Sequence, residues 1–271
     1  SAMVAATAAL SFPILAADGG TRTQAWRYPS RAECMVCHSR ASNYVLGLCT
    51  VQLNRDFDYA AVLGPGHAVD NQLRTLEHLG MLEVDQADAA FQGYVQRARD
   101  RGLDQDKAIA WAHDQIACRR EHMSGTSHRS TLLAKAPERT NRLADPADPT
   151  AAIADRARSY LHANCASCHI FAGGGNALLD LEYLSAFGPP RPLAAMKAVD
   201  AVPMHHTFGL PDARIVAAGH PERSVLLSRI SRRGPGQMPQ LATAIVDPVG
   251  VEVVRQWIES LPPGEARAAA R

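Results

Sequence analysis

Two pentapeptides constrain this chain more than anything else in it: Cys34-Met35-Val36-Cys37-His38 and Cys165-Ala166-Ser167-Cys168-His169. Both read C-x-x-C-H. This spacing puts two thiols and an imidazole on one turn. The thiols can add across the two vinyl groups of a porphyrin, and the imidazole can reach its iron from the same side. With 6 cysteines and 11 histidines in 271 residues, one chance match has a probability on the order of 0.5%. Two have a probability on the order of one in 100,000, which dismisses accident.

Other uses of paired cysteines fit less well. A zinc site can be built from two C-x-x-C pairs, but Cys37 and Cys165 are much further apart than the usual ~15–20 residues. A thioredoxin-like pair expects a βαβ setting, which the sequence lacks. Two covalently bound haems c (iron) are therefore the expected cofactors, with His38 and His169 as proximal ligands. Cys49 and Cys118 are left over. In an exported protein they could pair, or serve as small buried apolar residues, and both readings stay open.

The chain is long enough for two modest domains. Its 28 basic and 27 acidic residues nearly cancel, so no basic face speaks for a nucleic-acid partner. Lysine occurs only at Lys107, Lys135 and Lys197, which argues against docking through a lysine ring. The apolar stretch 5–17 is interrupted by Pro13 and too short to cross a bilayer, so no integral membrane segment is expected. Residues 1–20 read as a remnant of an export signal or a linker, with Ser1-Ala2 ahead of Met3 as a cloning scar.

Helical periodicity dominates the remainder, and no alternating strand of useful length stands out. The N-terminal haem domain is expected over 21–123. Leu73, Leu76 and Leu79 mark a helix ending at Gly80, and two more helices are predicted over 89–99 and 105–120, separated by Gly102. A linker rich in breakers covers 124–150, including Pro137 and Asp145-Pro146-Ala147-Asp148-Pro149. The C-terminal cytochrome c domain, 151–265, opens with an N-cap at Asp148 or Thr150 and a helix reaching Cys165. It closes with a helix over 251–261, where Val253, Val254, Trp257, Ile258 and Leu261 form an apolar stripe, stopped by Pro262-Pro263. The fold class expected is all-α: two cytochrome c-like helical haem domains in tandem, joined by a linker.

The sixth ligand of the second iron is assigned to Met238, in the constrained loop Gly234-Pro235-Gly236-Gln237-Met238-Pro239. For the first iron His67, His78, Met81, His113, His122, Met123 and His128 all lie downstream of His38. His78 sits beside the leucine stripe and is the leading candidate, against the plainer reading of a core or surface histidine. His205 or His206, or an open iron, remain alternatives.

Beyond the motifs, the chain from Gly20 onward resembles a family of bacterial dihaem c-type cytochrome domains of planctomycete type. The resemblance rests on Trp26-Arg27-Tyr28-Pro29-Ser30-Arg31-Ala32-Glu33 leading into Cys34. It continues through Asp70-Asn71-Gln72-Leu73-Arg74-Thr75-Leu76-Glu77-His78-Leu79-Gly80 and Arg158-Ser159-Tyr160-Leu161-His162-Ala163-Asn164. Further on, Thr207-Phe208-Gly209-Leu210, Pro221-Glu222-Arg223-Ser224-Val225-Leu226 and Ser231-Arg232-Arg233-Gly234 running to Pro239 match as well. Such domains are often the C-terminal module of larger secreted, dehydrogenase-like proteins. The resemblance implies a redox protein partner, a dehydrogenase as donor in the same parent chain or a separate one, and a downstream electron acceptor. Cys49 stands where similar sequences carry a polar residue, and Met81 where they carry a plain aliphatic, which favours His78 over Met81.

Two functions of different class follow. The first is electron transfer in the periplasm by a dihaem c-type cytochrome, with both irons saturated. The second is a dihaem peroxidase with an open N-terminal haem, which needs a distal acid–base group such as Glu77 or Glu121. Those glutamates read more plainly as solvated helix faces. Trp26 and Trp111 would be relays in either case, or simply core aromatics. A docking module whose first haem is structural is a third reading.

Overall fold

Residues 8–15, inside the stretch expected to be a signal remnant or linker, form a strand. In the computed structural model, which describes residues 8–15, 19–40, 42, 44–84, 89–122, 132–133, 137–170, 173–175, 177, 179–183 and 196–263, β1 (Ala8–Leu15) pairs antiparallel with β2 (Thr21–Tyr28) in continuous register from Ala8↔Tyr28 to Leu15↔Thr21. Thr21, Thr23, Trp26 and Tyr28 are good strand formers. Pro13, opposite Thr23, is tolerated because a two-stranded ribbon consists only of edge strands.

The all-α expectation is therefore corrected. The chain is 39% helical and 12% strand, a mixed architecture. Two more short pairs occur among the described residues. β3 (Asp56–Asp58) runs antiparallel to β4 (Val69–Asn71), and β5 (Glu83–Val84) runs parallel to β6 (Leu132–Leu133). Strands of two or three residues are too short for an alternating pattern to register, and the long hairpin falls where a targeting segment was expected.

Contacts divide the chain into two units. One comprises Ser1–Leu46, Ala144–Glu182 and Pro192–Arg271, the other Gly47–Leu143 and Tyr183–Arg191. Both C-x-x-C-H motifs lie in the first unit, so the tandem boundaries at 123 and 151 do not coincide with these limits.

In the first unit α1 (Arg31–Cys37) follows β2, and α7 (Ile153–Cys165), α8 (Val225–Ile230) and α9 (Pro248–Ser260) share one core. The expected stripe is the core itself: Val253, Val254, Trp257, Ile258 and Leu261 are buried, together with Ala157 and Leu161 of α7 and Leu226 and Ile230 of α8. Each such side chain contributes roughly 1.5–3 kcal/mol by leaving water. Asp247 caps α9, accepting from the Val249 and Gly250 amides, with Pro248 at the first helical position. At Gly250 the helix backbone lies under the Tyr160 ring, where a Cβ would stand 2.1 Å from Cζ. α7 begins after Ala152, later than expected. The Asp148 carboxylate instead closes a local turn on the Thr150 amide and hydroxyl, at 2.8 and 2.7 Å.

The second unit holds α2 (Thr50–Leu53), α3 (Ala60–Leu63), α4 (Gln72–His78), α5 (Ala89–Asp100) and α6 (Gln105–His122). α5 and α6 form as the periodicity predicts, and pack through Phe91, Val95, Ala98, Ala108 and Ala112. Buried Asn54 donates to the carbonyls of Pro137, Thr140 and Asn141 and accepts from Asn71. No helix among the described residues is long and apolar enough to cross a membrane.

Candidate functional site

The phrase ahead of the first motif is a helix start. Ser30 caps α1: its hydroxyl accepts from the Glu33 amide at 3.3 Å, and the Glu33 carboxylate accepts from the Ser30 amide at 2.8 Å. Arg27 at the end of β2 pairs with the same Glu33 and ties strand to helix. The helix ends at Cys37, and the His38 amide donates to the Cys34 carbonyl at 2.9 Å.

The second motif makes the same turn. α7 ends at Cys165, and the His169 amide donates to the Cys165 carbonyl at 2.8 Å. In both motifs one backbone bond from the histidine to the first cysteine gathers both thiols and the imidazole on a single turn.

The two imidazoles sit differently. His38 Nδ1 lies 2.8 Å from the Tyr44 carbonyl oxygen. A carbonyl only accepts, so Nδ1 carries the proton and Nε2 keeps its lone pair for a metal. The His169 ring is largely buried, and its Nδ1 has no hydrogen-bond partner. Burial first, and the nearby Arg229 charge second, hold its pKa below the usual histidine value, which favours the neutral ring. Burial also pushes the Cys165 and Cys168 thiols up to about 12, with the neighbouring Cys168 and Cys37 adding to it respectively. Both are neutral thiols.

Gly173-Gly174-Gly175, directly after the second motif, is the part of the site that sequence reasoning missed. A Cβ at Gly173 would meet the Cys168 carbonyl oxygen at 2.3 Å, and one at Gly175 would meet His169 Nδ1 at 2.6 Å. A Cβ at Gly174 would stand 1.8 Å from the Val36 carbonyl oxygen of the first motif. The two motifs thus touch through Gly174, and the Cys168 and Cys37 thiols are neighbours there. Three consecutive glycines were the available signal, since glycine is used where backbones approach closely.

Met238 is half-buried and packs against the same core as Cys165. Its amide donates to the Arg229 carbonyl at 3.1 Å, and Arg229 Nη1 donates to the Gly236 carbonyl at 3.0 Å, so α8 anchors the loop at two points. Gly236 has φ +81° and leaves room for the Phe208 ring, whose Cε1 a Cβ would meet at 2.5 Å. Arg229 and Arg232 lie over that ring at 4.8 and 4.2 Å. A cavity of about 440 Å³ lies alongside, lined by Trp26 and Arg27 of the hairpin and by Gly234, Gln237 and Leu241 of the loop region.

The candidates for the first iron scatter. His78 is the last residue of α4, in the second unit, and exposed; His67 and Met81 of that unit are exposed as well. His113 is buried there, its ring 4.6 Å from that of Phe91. His205 and His206 are exposed and belong to the first unit with both motifs. Trp111 packs edge-on against Tyr94 in the second unit. Glu77 is half-buried on α4, and Cys49 is exposed at the start of α2. Met123, His128 and the side chains of Cys118, Glu121 and His122 lie outside the described residues.

The donor set fits covalent haem. Each motif offers two thiols and an imidazole on one turn, His38 has its Nδ1 tied back, and Met35, Val36, Tyr44 and Val45 are exposed apolar side chains around the first motif, suited to a porphyrin face. No group of three or more His, Cys, Asp or Glu among the described residues is arranged to hold a metal ion directly, which is what the zinc reading requires. Comparison with protein-family models, characterised proteins and solved structures finds no match for the chain.

Proposed function

We propose that this chain is a dihaem c-type cytochrome that passes electrons between redox proteins outside the cytoplasm, from a dehydrogenase to a downstream acceptor. Cys34, Cys37 and His38 would hold one haem, and Cys165, Cys168 and His169 the other, with Met238 as its sixth ligand. One observation carries the reading: both motifs form the same turn, closed by the same histidine-to-cysteine backbone bond. The bound groups supply reversible one-electron chemistry at iron.

The chain's own part is to bind, orient and shield. Cys165 and Cys168, which burial keeps as neutral thiols, would hold the haem through thioether bonds, each S–H adding across one vinyl group with sulfur to one carbon and hydrogen to the other. His38 is oriented by Tyr44, and α8 holds the Met238 loop against the core. Attachment of this kind takes place outside the bacterial cytoplasm, which is the basis for the periplasmic assignment.

The test is production of the full chain with a c-type maturation system, followed by intact-mass and pyridine haemochrome measurements. Two haems per chain that survive acid–acetone extraction are expected; a chain with none refutes the proposal. Carbon monoxide should then leave the reduced spectrum unchanged, because irons ligated on both sides offer it no vacant position. A shift in half the haem signal would move the protein towards peroxide chemistry.

A further inference from the structure

The touching motifs carry a consequence for coupling between the two centres. Gly174 has no positive φ, so its backbone conformation is open to any residue and the glycine is not there for conformational freedom. What excludes a side chain is space. The Cβ position lies 1.8 Å from the Val36 carbonyl oxygen and 3.0 Å from the Val36 carbonyl carbon, and the atoms in the way are backbone. An alanine would force the motifs apart until that contact reached at least the ~3.0 Å that real Cβ atoms almost never undercut. Cys37 and Cys168 are neighbours at the same place. These are the second cysteines of the two motifs, each one bond from the porphyrin it would carry.

We propose that Gly174 is a positioning residue. It keeps the two haem-attachment turns in backbone contact, and so brings the two haems close enough to couple electronically. The inference rests on the two-haem reading and adds what that reading lacks, a defined path from one centre to the other. Electrons then cross within the first unit, between the Cys37 side and the Cys168 side, without any residue of the second unit.

Circular dichroism in the Soret region reads this directly, since two haems in close proximity give a bisignate couplet and isolated haems do not. The experiment uses the full chain with haem content measured on each sample. Wild type should show two haems and a couplet. Cys34→Ser/Cys37→Ser, with one haem, should lose the couplet and keep a simple band. Gly174→Ala and Gly174→Val, with both haems retained, should lose amplitude in that order, while Gly93→Ala on α5, where a Cβ meets nothing closer than 3.9 Å, should change nothing.

Two haems without a couplet in wild type would overturn the inference and leave the dihaem assignment standing. Undiminished couplets in both Gly174 variants would remove Gly174 from its role. No haem at all would refute the assignment and the inference together. Should the Gly174 variants fail to accumulate, wild type against the one-haem variant still decides whether the centres are coupled.

Discussion

Gly250→Ala probes the packing that supports the second motif. In the structure a Cβ at Gly250 would stand 2.1 Å from Cζ, 2.3 Å from Cε2 and 2.4 Å from Oη of Tyr160. Gly250 is inside α9, where alanine alone would gain about 0.5–1 kcal/mol in helix propensity. Overpacking the helix contact costs roughly 1–3 kcal/mol. Swinging Tyr160 aside also moves its hydroxyl away from Asp247, the residue that caps α9. The net is a loss of about 1 kcal/mol, or roughly fivefold in the folded-to-unfolded ratio. Urea titration combined with hydrogen exchange of peptides from α7 and α9 would measure it. The effect should be confined to the first unit, and Tyr160→Leu should relieve it, so that alanine at 250 becomes neutral or stabilising in the double variant. A stabilised Gly250→Ala in the Tyr160 background would show that propensity wins and that the helices do not cross this closely.

Asn54→Leu removes a buried amide that donates to three carbonyls, at 3.1, 2.7 and 3.2 Å, and should destabilise the second unit by about 2–3 kcal/mol in the same titration. Glu252 is held at about 2, below the usual carboxylate range, by hydrogen bonds from Arg255 and then Gln256. A depressed carboxylate contributes stability above its ordinary value of 4.5, which is lost as pH falls towards about 2. Glu252→Gln should therefore flatten the acid limb of the stability curve in that window, by a small amount because the pair is exposed. On the two-haem reading, Met238→Ala should make one haem reactive towards carbon monoxide and lower its potential; an unchanged spectrum removes Met238 as a ligand.

What could be read from the sequence was what depends on local spacing. The two motifs, the stripe on α9, α5, α6 and the turn at Gly102 are all set by neighbours within a few residues, so periodicity finds them. The hairpin was missed because its apolar run sits at the chain start and contains Pro13, and both facts point to a leader when no partner strand is in view. The shared unit of the two motifs was missed for a different reason. Similar phrases before each C-x-x-C-H suggest a duplicated domain, but the contact through Gly174 and Val36 joins positions far apart in the chain. No local pattern reports such a contact, and three glycines in a row say only that something approaches.

The two phrases before the motifs also prove to be different devices serving one requirement. Each C-x-x-C-H turn needs a helix end held still, so that the histidine amide can close on the first cysteine carbonyl. α1 has only seven residues and no buried side chain, so it is held by its cap and by Arg27 on Glu33. α7 has thirteen residues and buries Ala157, Ser159 and Leu161, so it is held by the core and begins at Ala152 with no side-chain cap. Isolated helices of either length are marginal in water, and each must draw its stability from something outside its own backbone bonds. The short helix draws it from polar ties among Arg27, Ser30 and Glu33. The long one draws it from tertiary packing, which leaves a weaker local signature. The chain forms the same turn twice, once by capping and once by burial.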